Sequence, residues 1–482
     1  MSPQRDLVAG EWADAEVELG LRLEDPATGA DLGPARATGG DRIERALAAA
    51  SAATAWAETP AADRAAILDS VAAALAPRTG EIAALESAAT GVPIRQTGPL
   101  GMIVTGSFAL AAAQLREGLL ERVLERPDGR TAEVRLRPWG PALCLTPWNA
   151  PAPMAAHKIA NALAAGCPTV LKASEYAPHG SQVLAEVVAA TLRENGVPDG
   201  VFQFLHGDGS TGAALTADPR IRAVSFTGGA AGGASVAAAC AAGLKPVQLE
   251  LGGNNPLVVL PDADVSAAAR AAVDLLTTLN GQWCRALGRL IVPAALEAEL
   301  LAAISGRLAA LTAGPPLEET TDLGPLIHSA HRAQVARRRD ELGGLPHSAT
   351  KVPDVGNYLA PVLVAGVAPE RALEEIFGPV ATVHPYESVE EAVALANGTA
   401  YGLEAYVFGT DEEFALAVAR RIRAGEVKVN GSSIMSLHLF APRPAWGASG
   451  LGEEGTEETL RFFTNPQVVG VEGGFALHAG EP

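Results

Sequence analysis

Cys284 is the one cysteine of four with polar, glycine-flanked neighbours, in Asn280-Gly281-Gln282-Trp283-Cys284-Arg285-Ala286. A thiol just after Gly-Gln, where a helix is expected to begin, lies near free backbone N–H groups that favour thiolate and can hold an oxyanion. Cys144, Cys167 and Cys240 fall in an apolar run, a tight turn and an alanine-rich helix, and read as buried free thiols. Glu250 stands between two leucines ahead of Gly252-Gly253. Desolvation there would raise its pKa toward that of a general base, while the plainer reading is a strand-end carboxylate capping the next turn. Asn149 is bracketed by Pro147 and Pro151. That fixes its backbone and lets its amide be aimed at a developing oxyanion, though a turn residue would look the same.

Lys172 and Glu175 follow an apolar run, where ligands of doubly wound sheets sit and where an acid can accept from ribose hydroxyls; a surface salt pair is the alternative. Phe226-Thr227-Gly228-Gly229 and the glycines to Gly233 form a strand-to-helix turn whose amides could bind a pyrophosphate, without G-x-G-x-x-G spacing.

The elements that must position these residues alternate. Short apolar runs at 142–146, 168–173, 201–205 and 222–226 are separated by helical patterns at 155–165, 180–195 and 234–242, which argues for a parallel sheet covered on both faces. After residue 250 the alternation resumes, with strands expected at 257–260, 290–292, 357–367, 381–385, 405–408 and 427–430. Helices are expected between them at 265–279, 296–311, 388–397 and 412–423. Upstream, 41–58 and 61–77 read as helices, with Asp41 as a cap and Pro60 opening the second. Asp128-Gly129 predicts a hairpin turn within 126–138, whose exposed edge needs a partner.

Composition narrows the function. The chain has 482 residues with 36 Lys+Arg against 55 Asp+Glu, a net charge of −19, which disfavours nucleic acid or an anionic membrane as partner. Four unpaired cysteines without a C-x-x-C pair suggest neither a disulfide framework nor a metal site, and fit a reducing cytoplasm. The N-terminal segment carries early charges and no apolar run, unlike a signal peptide, and apolar stretches such as 108–113 read as too short to span a bilayer.

PWNAP, LKASE, FTGG, LELGG, GQWC, EIFGP (375–379) and WGASG (446–450) occur in that order. The chain thereby resembles the NAD(P)-dependent aldehyde dehydrogenase superfamily from about residue 20 onward. The resemblance implies an α/β fold with a Rossmann-type cofactor domain (1–125 and 139–249), an α/β catalytic domain (250–430) and a small β oligomerisation element (126–138 and 431–482). By the same resemblance Cys284 is the nucleophile, Glu250 the base for deacylation and Asn149 half of the oxyanion hole. Lys158 joins a proton relay. Lys172 and Glu175 hold the adenosine ribose, Thr227, Gly228, Gly229 and Gly233 form the phosphate turn with Trp148 nearby, and Glu375 and Phe377 meet the nicotinamide ribose and ring.

Departures bear on substrate more than on chemistry. Gly229 stands where the family usually has Ser, His157 replaces a common Trp, Gly447 a frequent Lys, and Thr277 and Thr278 replace aromatics ahead of Gly-Gln. His157, Thr278, Trp283, His438 and Phe440 are the substrate-contact candidates, with 432–440 at a tunnel mouth. The expected reaction is oxidation of an aldehyde to an acid through a thiohemiacetal and a thioester. NAD is preferred over NADP because Glu175 repels a 2′-phosphate. A weak lean favours aromatic or bulky aldehydes. A CoA-acylating relative would lack Glu250, and a silent structural member would lack the intact Cys284, Glu250 and Asn149. The resemblance further implies a homodimer or homotetramer.

Overall fold

The structure is a computed structural model describing residues 3–472. Its first sheet has eight strands, in the order Glu11–Asp14, Arg5–Val8, Phe202–Leu205, Thr169–Lys172, Ala142–Leu145, Ala223–Thr227, Val247–Glu250 and Gly450–Leu451. The five central strands are parallel, and chain order reverses between Ala142–Leu145 and Ala223–Thr227. Such a switch point leaves a crevice at the carboxyl ends of the strands. Ala142–Leu145 and Thr169–Lys172 are buried at every position, as continuous apolar runs covered on both faces must be.

The second sheet has seven strands, Leu345–His347, Val362–Ala365, Val380–Tyr386, Leu287–Pro293, Asn255–Val259, Glu404–Phe408 and Glu426–Val429, parallel except for the first. All of these lie between residues 250 and 430. A third, antiparallel sheet joins Glu121–Glu125, Thr131–Pro138 and Thr464–Gly470. The tail strand pairs with the hairpin of its own chain, and Gly450–Leu451, placed by the resemblance in the oligomerisation element, extends the first sheet. Residues 473–482 of that expected tail lie outside the described residues.

Several elements differ from the sequence pattern. The expected helix over 41–58 breaks at Ala53-Thr54 into Gly40–Ala52 and Ala55–Glu58, and Gly39 rather than Asp41 is the N-cap. Ile94–Arg116 is a helix that the pattern hid, because Gly98, Pro99, Gly101 and Gly106 interrupt it. By length and composition it is apolar enough to cross a membrane, contrary to the reading of its apolar run as too short, yet half of its apolar window is buried against neighbouring helices. Ser329–Leu342, polar on nearly every face, is a further helix that periodicity missed.

Candidate active site

The carboxyl ends of the first sheet bring the candidate groups together. In register, Leu145 lies beside Lys172 and beside Phe226, while Thr227 pairs with Glu250. Asn149 and Trp148 therefore leave the sheet at the switch point, next to the Gly228-Gly229 turn, whose first N–H donates to the Glu250 carbonyl at 3.1 Å. Helix Pro151–Ala165 starts directly after Asn149, and the buried Glu86 accepts the Ala152 N–H at its first turn. The sequence carried no sign of Glu86; burial pushes its carboxyl up to about 8.

Cys284 approaches from the second domain. No helix begins there, contrary to the sequence expectation: the Ala286 N–H donates to the Trp283 carbonyl at 2.9 Å, and strand Leu287–Pro293 follows. The helix-dipole argument for the thiol therefore falls, and turn amides take its place. Among the described residues, no acceptor takes the Cys284 N–H. Leu279, Asn280 and Gly281 are all left-handed, with φ of 49°, 59° and 73°. The Asn280 side chain donates to the Gly91 and Pro325 carbonyls at 2.9 Å each and accepts the Gly324 N–H at 2.8 Å. A Cβ at Gly281 would lie 2.4–2.6 Å from the Gly378–Pro379 backbone, so glycine is required there for space as well as for φ. Asn149 Nδ2 donates to the Gln282 carbonyl at 2.9 Å, which ties the switch-point loop to the nucleophile turn.

Charge is arranged around the thiol. Desolvation pushes Cys284 up to about 12, Arg285 opposes this, and Glu250, Glu375 and Glu404 add to it. Glu250 is raised to about 8, first by burial and then by the negative charge of Glu454. For Glu454 burial is outweighed by Lys158, His157 and Arg443, which hold it well below the usual carboxylate range. Lys158, fully buried, reaches Glu454 at 3.2 Å and donates to Ser225 Oγ at 2.8 Å; Ser225 in turn donates to Gln248 Oε1 at 2.8 Å. The sequence reading did not find Glu454. Its partner Lys158 is 296 residues away, and the adjacent Glu453 looks the same on paper.

The residues fit a dinucleotide. Thr227 Oγ1 is buried with no hydrogen-bond partner, and a Cβ at Gly229 would meet nothing within 4 Å. Helix Ala230–Ala242 begins there with no side-chain cap, leaving first-turn amides for phosphate oxygens. Lys172 Nζ is held by the Gly207 carbonyl at 2.8 Å and lies 3.7 Å from Glu175. Glu375 accepts the Gly253 N–H at 3.0 Å, and burial pushes it up to about 7. Trp148 packs edge-on to Phe377 and to His331, each at 5.3 Å. Gly233 departs from its expected role: its N–H already donates to Gly229, and a Cβ there would sit 2.4 Å from Leu251, so it serves helix-to-strand packing.

The substrate candidates divide. His157 Nε2 meets Thr459 Oγ1 at 3.0 Å, and burial lowers the ring to about 4, so it is neutral. The Thr278 hydroxyl is spent on the Asp274 carbonyl at 2.7 Å, and Trp283 is packed in the core of the second domain; both depart from the contact role expected of them. His438 and Phe440 lie on the outer loop, with Phe440 exposed.

Known proteins resemble this chain over nearly its whole length. The aldehyde dehydrogenase family model matches residues 12–469. The geranial dehydrogenase of Castellaniella defragrans is 35% identical over 95% of this chain and 96% of its own. Betaine aldehyde dehydrogenase 2 of Rhizobium meliloti is 34% identical over 89% of each chain. A mutant of aldehyde dehydrogenase C from Pseudomonas syringae, solved with NAD+ and octanal, superposes with a TM-score of 0.90 at 31% identity, covering 97% of this chain and 96% of that one.

The left-handed turn yields a test. Asn280→Ala removes three hydrogen bonds and leaves alanine at positive φ, which together should destabilise by about 2–4 kcal/mol. The expected readouts are a lower thermal midpoint and faster iodoacetamide labelling of Cys284. Unchanged labelling would show that the turn is held by other contacts.

Proposed function

The chain belongs to the aldehyde dehydrogenase family, and from that premise we propose that it oxidises an aldehyde to its carboxylic acid with NAD+ through a thioester on Cys284. The observation that carries this reading is the meeting at one turn of Cys284, the Asn149 amide and the strand-end Glu250. The Cys284 sulfur adds to the aldehyde carbonyl as its thiol proton passes to solvent water, and the carbonyl π electrons move onto oxygen. The resulting oxyanion sits between Asn149 Nδ2 and the unpaired Cys284 N–H. Bound nicotinamide supplies the hydride acceptor. Glu250 then takes a proton from water, which adds to the thioester carbonyl; the C–S bond breaks and carboxylate departs. Lys158, Glu454 and Ser225 offer Glu250 a buried route for returning that proton.

Lys172 and Glu175 would hold the adenosine ribose, Thr227, Gly228 and Gly229 the pyrophosphate, and Glu375 with Phe377 the nicotinamide end. The substrate proposed is a bulky apolar aldehyde, in line with the geranial and octanal of the relatives. A homodimer or homotetramer is proposed from the exposed apolar side chains of the third sheet, Val123, Leu124, Val468 and Val469. Four free cysteines support a cytoplasmic setting.

Four outcomes test these roles. Asn149→Ala should lower kcat by about 10²–10³-fold, the usual loss for one oxyanion donor, and wild-type turnover would remove the role. Because Glu250 acts as a base only when ionised and its pKa lies near 8, turnover should fall as pH drops below that value. Glu250→Gln should give a burst of about one NADH per subunit and then stall; sustained turnover would exclude Glu250 as base. Catalytic efficiency with NAD+ should exceed that with NADP+, and Glu175→Gln should narrow the gap.

A further inference from the structure

Arg285, next to the nucleophile, does not line a polar surface. Its Nη1 lies 2.6 Å from Glu404 and 3.2 Å from Glu426, and Lys428 Nζ lies 2.5 Å from Glu404 and 3.6 Å from Glu426. All four residues are buried. The quartet is neutral overall, two cations against two carboxylates. Apolar residues of similar volume would fill the same space at no desolvation cost, so packing alone does not account for it.

What apolar residues could not do is hold backbone. Lys428 Nζ donates to the Ser433 carbonyl at 2.8 Å, and Glu426 Oε1 accepts the Leu437 N–H at 2.6 Å. On the other side, Glu404 N–H donates to Asn255 Oδ1 at 3.1 Å, and Asn255 Nδ2 donates to the Cys284 and Ala286 carbonyls at 2.9 and 2.8 Å. Tyr406 OH donates to the Arg285 carbonyl at 2.9 Å. The loop so reached, 431–440, has no helix or strand. Its large side chains Ile434, Met435, Leu437, Leu439 and Phe440 are 37–65% exposed, so burial does not fix it. Its remaining ties are Ser432 to Asp274, on the helix Val265–Thr277 that runs into the nucleophile turn, and Leu439 to Thr456.

We propose that the Arg285–Glu404–Lys428–Glu426 quartet is a latch that couples the apolar 431–440 loop to the nucleophile turn, so that Glu426 and Lys428 are positioning residues that select for long apolar aldehydes. The selectivity part rests on the aldehyde dehydrogenase reading; the latch itself does not. Releasing the loop leaves Cys284 in place but lets the apolar entrance spread, which weakens capture of a long aldehyde more than of a short one.

The experiment uses the full chain. Glu404→Gln with Lys428→Met removes one charge of each sign, so no buried charge is left unpaired, yet the tie to Ser433 is lost. Leu437→Pro removes the other tie from the exposed side without substituting a charged residue, with Leu437→Ala as the control that keeps the amide. Both the double variant and Leu437→Pro should speed hydrogen exchange of the 431–440 amides about tenfold or more. KM for octanal should rise on the order of tenfold in both, and in Leu437→Pro, which leaves every charge around Cys284 in place, propanal kcat should stay within about twofold of wild type. Lys428→Arg should restore the octanal KM. Unchanged exchange in both variants overturns the latch. Faster exchange with an unchanged octanal-to-propanal ratio, or equal losses for both aldehydes, overturns the selectivity. A wild-type protein inactive on every aldehyde would instead remove the aldehyde dehydrogenase reading, while the exchange result would still decide the latch.

Discussion

Three consecutive left-handed residues, Leu279, Asn280 and Gly281, set the position of the thiol, and much of the site is built to keep them there. Holding Leu and Asn in that region costs on the order of 1–3 kcal/mol each, so the turn persists only because its surroundings over-determine it. Asn280 is held on both sides of its amide by backbone of two separate segments, 91 and 324–325, and the Leu279 N–H is taken by Gln96 at 2.7 Å. Gly281 fits against the 378–379 backbone, which brings the loop carrying Glu375 and Phe377 to the turn. The latter loop has its own left-handed residue, Phe377, whose carbonyl accepts from His331. Two strained turns are thus pressed together beside the thiol.

A second constraint is electrostatic. Glu250 and Glu454 are both buried and close enough that the charge of one opposes the charge of the other. The pair is resolved by unequal company. Glu454 has Lys158 within a salt-bridge distance and Arg443 at 3.7 Å, so it takes the charge. Glu250, left without a comparable partner, is the one that can exchange a proton near neutral pH. A carboxyl that titrates there is suited to taking a proton from water and giving it up again.

The parts of this arrangement that sequence revealed were those written in local pattern. Apolar runs such as Ala142–Leu145 and Thr169–Lys172 are buried on both faces and can be little else. The motif order singled out Asn149, Glu250 and Cys284, and Asn149 is tied to the turn that carries Cys284. The parts that stayed hidden depend on residues meeting from afar. Glu454, Glu86 and the Arg285 quartet each gain meaning only from a partner about 65 to 300 residues distant. Ile94–Arg116 was obscured for a different reason. Its glycines and Pro99 lower helix propensity, yet packing against neighbouring helices supplies what local preference does not. The helix expected after Cys284 failed because Gly-Gln reads equally well as a turn into a strand, and only the pairing of Leu287–Pro293 within the second sheet decides between them.

An arginine beside a nucleophile would ordinarily promote thiolate, and Arg285 does pull the Cys284 pKa down. Glu404, which pairs with that same arginine, pushes it back up, as do Glu250 and Glu375. Burial is the larger push on the thiol, and the charge of Arg285 is met by Glu404 and Glu426. Ionisation can then be deferred until a carbonyl is present to receive the charge and the Asn149 amide and the Cys284 N–H are there to hold it. The neutral quartet and the raised thiol pKa are in that sense one design, in which charge develops only where donors are already fixed.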